Sequence, residues 1–173
     1  MAVNDIRIKD CAGLSAVPTF EYLRDDRDTS SDTVVAAGEP LKKNATAGQF
    51  CIKWVTADIT VATDQPIIGV AAQASTETAT VDGAVNVYMP LLGVIYAINA
   101  LTASLANTQS EIDALRGEYD VVSLTAAGGT YSLDTAAGDA ATNALIIVGG
   151  EPAKSELWVV FRNDATLFGR AQV

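Results

Sequence analysis

Between residues 34 and 98 the sequence runs in short alternations of apolar and polar side chains, each closed by a turn signal. This pattern restricts the possible folds more than any other feature of the chain. Phe50, Ile52 and Trp54 share one side of a run while Cys51, Lys53 and Val55 share the other, the period-2 signature of a half-buried strand. Residues 56–62 alternate again, with Ile59 and Val61 on one face and Asp58 and Thr60 on the other. Gly38-Glu39-Pro40, Asp64-Gln65-Pro66 and Val81-Asp82-Gly83 punctuate the series, and strands are expected at residues 67–72, 85–88 and 91–98. Strands this short, spaced roughly 8–12 residues apart, favour a small barrel or sandwich over a parallel α/β sheet.

Beyond this core the pattern changes once and then returns. Thr108 can cap a short helix, with Glu111 three residues on to complete a capping box. Ile112 and Leu115 would share its buried face, and Gly117 sits where the helix should stop. Residues 121–124, 131–133, 145–148 and 157–161 read as strands, with Gly128-Gly129 and Gly149-Gly150 as turn candidates. Thr125-Ala126-Ala127-Gly128 recurs as Thr135-Ala136-Ala137-Gly138, and Gly-Glu-Pro occurs at 38–40 and 150–152; both are too short to establish a repeat. At the other end, Ile6 and Ile8 share one side of a brief alternating run and Phe20 and Tyr22 share another. Gly13, Ser15 and Pro18 argue against a continuous element between them. The expected organisation is therefore mainly β: an extended N-terminal arm over 1–33, a β-barrel or sandwich core over 34–106, and one short helix plus a β-rich subdomain over 107–173.

Composition removes most chemistry. The 173 residues hold 21 acidic and 11 basic side chains and no histidine, for a net charge of −10. Without histidine there is no Ser-His-Asp or Cys-His catalysis and no His-ligated metal. Cys11 and Cys51 are too few for an all-thiolate zinc site or an iron–sulfur cluster. The charge opposes nucleic acid, and Lys42-Lys43, read as an exposed turn beside Asn44, is the largest basic cluster set against it. Asp25, Asp26, Asp28 and Asp32 lack the central Gly and terminal Glu of an EF-hand, and Arg24 and Arg27 neutralise half of them, so they read as a solvated loop. Of Asp58, Asp64, Asp82, Asp120, Asp134 and Asp139, most adjoin Thr or Gly and read as turn positions rather than a hydrolytic carboxylate pair. No phosphate-binding glycine loop is present. No catalytic residue, cofactor or metal is expected.

The first ten residues lack a signal-peptide layout, so synthesis in a cytoplasm and free thiols are expected, although sequence leaves a Cys11–Cys51 bridge open. Residues 83–110 carry no charge and are long enough to span a bilayer. Asn86, Pro90, Gly93 and Asn99 interrupt them, so they read as buried strands. Trp54, Tyr88, Tyr96, Trp158 and Phe161 could build a sugar-stacking platform, but each lies in an apolar strand and reads as core.

The middle of the chain resembles a known family. Ala37-Gly38-Glu39-Pro40-Leu41 is followed by Gly48 opening a strand and by Gln65-Pro66-Ile67-Ile68-Gly69-Val70-Ala71. Then come Asp82-Gly83-Ala84-Val85-Asn86-Val87 and Leu92-Gly93-Val94-Ile95-Tyr96. This series resembles the small β-barrel capsid decoration, or cement, proteins of tailed bacteriophages over about residues 34–98. The resemblance implies a structural protein of the virion's outer capsid surface, made in the host cytoplasm. It implies a homotrimer that braces subunits of the major capsid protein, with a terminal arm reaching across the shell. Ile6, Ile8, Phe20 and Tyr22 would then supply capsid or intersubunit contacts, with no cofactor, nucleic acid or membrane involved. The alternatives are a glycan- or surface-binding β-module with Trp54 or Trp158 exposed, and a structural protein of the tail or fibre base.

Overall fold

The period-2 runs become strands, and the chain is mainly β. A computed structural model describes residues 6–24, 34–43, 50–53, 66–76, 83–125, 130–135 and 143–166. The chain enters through β1 (Arg7–Asp10) and β2 (Thr19–Arg24), then passes through β3 (Val34–Val35), β4 (Pro40–Lys43) and β5 (Phe50–Lys53). After these come β6 (Ile67–Ala71), β7 (Ser75–Thr76) and β8 (Ala84–Tyr88). Five of these strands close a ring in the order β2-β5-β4-β6-β8, while β3 and β7 pair separately. Only the β2–β5 contact is parallel, with Arg24 opposite Cys51; the other four are antiparallel. Leu41, Cys51, Ile68, Ala71, Val85 and Val87 fill the ring, and Tyr22 packs against them.

Strand β6 carries a bulge that decides which core each of its residues joins. Leu41 lies opposite Gly69 and Lys42 opposite Ile67, so Ile68 is an extra residue. An extra residue reverses the alternation of faces: Ile68 and Ala71 enter the ring, while Ile67 and Val70 join a second core outside it. Gly69 makes this possible, with φ at +146° and a hypothetical Cβ only 2.0 Å from the Tyr88 carbonyl oxygen. No side chain fits there.

The second layer follows with β9 (Ile95–Asn99), α1 (Gln109–Leu115), β10 (Tyr119–Thr125), β11 (Thr130–Asp134), β12 (Leu145–Glu151) and β13 (Glu156–Phe161). Its sheet order is β1-β9-β13-β12-β10-β11. The sheet curls: Ala100 forms a parallel bridge with Leu133, and Leu101 N–H donates to the Leu133 carbonyl at 2.8 Å. Its core holds Tyr96, Ile98, Leu133, Leu145, Ile147 and Leu157. Tyr96 meets Phe161 edge to face, with ring centroids 5.1 Å apart.

Helix α1 is built as its sequence requires. The Thr108 hydroxyl accepts from Glu111 N–H, and the Glu111 carboxylate accepts from Thr108 N–H at 2.9 Å, a reciprocal cap worth about 1 kcal/mol. Ile112 is fully buried on β12. A Cβ on Gly150 would lie 2.9 Å from Ile112 Cδ1 and 2.6 Å from the Glu156 carbonyl oxygen. Glycine there lets helix and strand touch.

Several expectations are corrected. Residues 6–24, expected as an arm with little core of its own, are strands of both sheets: β1 pairs with β9, β2 closes the ring against β8, and Ile6 is buried with its N–H on the Gly38 carbonyl at 3.2 Å. Those partners lie far along the chain, where local pattern cannot point to them. A boundary at 106/107 would cut one sheet, since β9 lies between β1 and β13. Gly149 and Gly150 lie inside β12 rather than in a turn, and Lys42 is a buried residue of β4 rather than part of an exposed turn. The strand expected over 56–62 and the Gly128-Gly129 turn lie outside the described residues.

Candidate docking surface

The outer face of the second sheet gathers charge around a tryptophan. Pairing places Arg7, Ala97, Trp158 and Gly149 in one row across β1, β9, β13 and β12. The indole rests against Gly149, where a Cβ would come 3.0 Å from Trp158 Cε3. Trp158 Nε1–H donates to Glu156 Oε1 at 3.0 Å, and Lys9 Nζ stands 4.7 Å from the ring centroid. Glu156, only 5% exposed, also pairs with Arg7 and lies 3.9 Å from Lys9 Nζ. Burial of that carboxylate is tolerable because two cations and the indole N–H surround it. The stacked lysine adds roughly 0.5–1 kcal/mol at so open a site. Beside this cluster Ile95, Ile146, Val148 and Val160 are partly exposed, and Ile146 lies opposite Val160. Arg116, ion-paired to Asp113 at 3.2 Å, reaches to the Gly149 edge of the face.

A second apolar feature sits on two tight turns. Asp10 Oδ1 accepts from Ala12 N–H at 2.7 Å and holds Ala12 at φ +54°. Leu14 N–H then closes the first turn on the Cys11 carbonyl, and Val94 N–H closes the second on that of Leu91. A Cβ on Gly93 would lie 3.2 Å from Ala12 Cβ, so the two turns abut. They hold out Leu14 at 46% and Leu92 at 83% exposure.

The four residues expected to make contacts are placed differently from one another. Phe20 is 51% exposed. Ile6 is buried, Ile8 packs against the second core, and Tyr22 packs against the ring interior. Burial and then the nearby Cys51 raise the Tyr22 hydroxyl above its ordinary pKa. Most of the aromatic platform is not assembled. Tyr96 is buried, donates to the Met89 carbonyl at 3.0 Å, and is held well above its ordinary pKa by desolvation, then by Cys11 and Tyr88. Phe161 is its packing partner, Tyr88 packs against the second core, and Trp158 is engaged as described. Trp54 lies outside the described residues, as do Asp25, Asp26, Asp28, Asp32, Asp58, Asp64, Asp82 and Asp139. Asp134 closes β11, and Asp120 belongs to β10.

Both cysteines are free thiols in separate cores, Cys51 inside the ring and Cys11 against the second cluster. Among the described residues no group of three or more His, Cys, Asp or Glu is arranged to hold a metal. No described helix is long and apolar enough to cross a membrane. Sequence reasoning passed over Leu92 because it took residues 91–98 as one strand, although Leu92-Gly93 is itself a turn signal. It missed the Arg7–Glu156–Trp158 cluster because nothing local pairs β1 with that face. Compared with protein-family models, with curated proteins and with solved structures, the chain matches none of them.

Proposed function

We propose that the chain is a structural protein of a tailed-phage virion, one that decorates the capsid surface and braces neighbouring subunits of the major capsid protein as a homo-oligomer, in the first instance a trimer. The observation that carries this reading is the resemblance over residues 34–98. The residues behind it supply β4, β6 and β8 of the ring, the turn before β4 and the turn after β8. Residues 36–39 form a turn just before Pro40 opens β4, in which the buried Glu39 carboxylate accepts from Ala36 N–H at 3.0 Å while Glu39 N–H donates to the Ala36 carbonyl. Gly69 permits the bulge of β6, and Leu92-Gly93 holds an apolar side chain in solvent.

The chemistry of the surface agrees with adhesion. Single leucines on rigid turns lose little conformational freedom on contact, so small patches repeated over many copies can hold together. The charge of −10 keeps free subunits apart from nucleic acid and in solution before assembly. The glycan-binding alternative loses ground at Trp158, whose ring already meets Lys9, Gly149 and Glu156. The test is co-sedimentation with shells assembled from the major capsid protein encoded alongside this chain. Saturable binding in fixed stoichiometry, with shells that resist heating to a higher temperature, is the expected result. Shells that neither bind the chain nor gain stability refute the reading.

A further inference from the structure

The ring and the curled sheet share one plan, residue for residue. Val87 lies opposite Phe20 and Ala71, as Val159 lies opposite Tyr96 and Ile147. Val70 next meets Pro40, as Ile146 meets Tyr119. Three residues on, Lys43 meets Cys51, as Val122 meets Leu133. Cys51 and Leu133 then make the parallel contact of each set, to Arg24 and to Ala100. Two residues back, Tyr22 opposes Val85 and Ile98 opposes Leu157, which returns both circuits to Val87 and Val159. A slip of one residue at any of these pairs would put side chains on the wrong face, and none occurs at them; the units differ in their bulges, at Ile68 of β6 against β4 and at Val148 of β12 against β13. The β2, β4, β5, β6, β8 set and the β9–β13 set are therefore one five-strand unit used twice. The Gly-Glu-Pro recurrence is unrelated, since the counterpart of Pro40 is Tyr119.

The two units differ in what covers the same outer face. In the first unit Ile67 and Val70 are buried in the cluster that holds the second unit's core, and Ile67 is bridged to Thr166 beyond β13. In the second unit the counterparts of Val70 and Tyr88 are Ile146 and Val160, which are partly exposed beside Ile95, Val148 and Trp158. In tandem arrays each unit covers its neighbour and the last face stays open. We propose that a second copy of this chain docks on the Ile146–Val160 face, continuing head to tail the contact that the second unit makes on the first. Arg7, Lys9 and Arg116 flank this face and locally offset the repulsion between two copies that each carry a net charge of −10. A head-to-tail contact of this kind generates a ring when the rotation closes. The inference rests on the self-assembly in the reading above and gives that assembly a surface.

The test is sedimentation equilibrium of the full chain without shells. Wild type is expected as a closed oligomer at micromolar concentration, and Val160→Glu as a monomer with unchanged far-UV circular dichroism. Arg116→Glu reverses an exposed rim charge without touching the apolar face and should weaken association roughly tenfold or more, increasingly at low salt. It carries the test if Val160→Glu fails to fold. A wild type that stays monomeric, or assembly unaffected by either Val160→Glu or Arg116→Glu, overturns the proposal. Oligomers that fail to bind shells refute decoration alone, and monomers that decorate shells refute this surface alone.

Discussion

Replacing Gly69 by alanine should open the first ring, and its cost can be worked from the contacts. The new Cβ would sit 2.0 Å from the Tyr88 carbonyl oxygen and 2.7 Å from Val87 Cγ1. Relief even to 3.0 Å requires β6 and β8 to part by about 1.0 Å, the difference between the two distances, at the ladder that pairs Val70 with Tyr88 and Ala71 with Val87. Weakening those hydrogen bonds costs about 1 kcal/mol each, and the overpacking about 1–3 kcal/mol. The backbone at φ +146° adds roughly 1–2 kcal/mol for a side chain. The sum, roughly 4–7 kcal/mol with one bond weakened at each of the two pairs, is a large part of the roughly 5–15 kcal/mol that holds a domain together. Gly13→Ala is the matched control, because φ there is +81° with nothing within 4 Å of the new methyl. It should lose only the conformational part, about 1–2 kcal/mol. Urea unfolding followed by circular dichroism measures both. Equal losses in the two variants, or a Gly69→Ala loss near 1 kcal/mol, would refute the argument that close approach rather than backbone conformation reserves this position.

Deleting residues 1–24 removes β1 and β2, leaves β5 and β8 without their shared neighbour, and uncovers Val85 and Val87; loss of the cooperative thermal transition is expected, and a truncated chain that melts like wild type contradicts the role given to β2. Stability should change little between about pH 6 and 8, because no histidine titrates there. Above that range the folded chain holds Tyr22 and Tyr96 protonated beyond their ordinary value of 10.0, so their contribution is complete below pH 10.0 and fades as pH rises through the folded values. Urea midpoints across the pH range read this directly, and a steep change near pH 7 would contradict it.

Sequence carried the elements whose causes are local. β6 was legible from its apolar run and β8 from its alternation, each after a turn signal, and α1 from a cap that needs only Thr108 and Glu111. Pairing is not local. Arg7 finds Ala97 and Tyr22 finds Val85 only because the intervening chain has folded, so the first strands read as an arm. Gly149-Gly150 read as a turn because a glycine pair most often is one. Here the pair makes room instead, Gly149 for the Trp158 ring and Gly150 for Ile112. The docking surface was the least legible part. Ile95, Ile146 and Val160 look like core residues in sequence, and only the sheet's open face distinguishes them.

Strand β6 is buried along its whole length, with Ile68 and Ala71 lining one core and Ile67 and Val70 the other. The two halves are copies in plan, yet they are no longer interchangeable parts. A cut between Tyr88 and Ile95 would leave the second half with a hole where Ile67 and Val70 had been, and the first with two apolar side chains facing water. The shared strand makes the two halves mutually dependent: neither can be removed without hollowing or exposing the other's core.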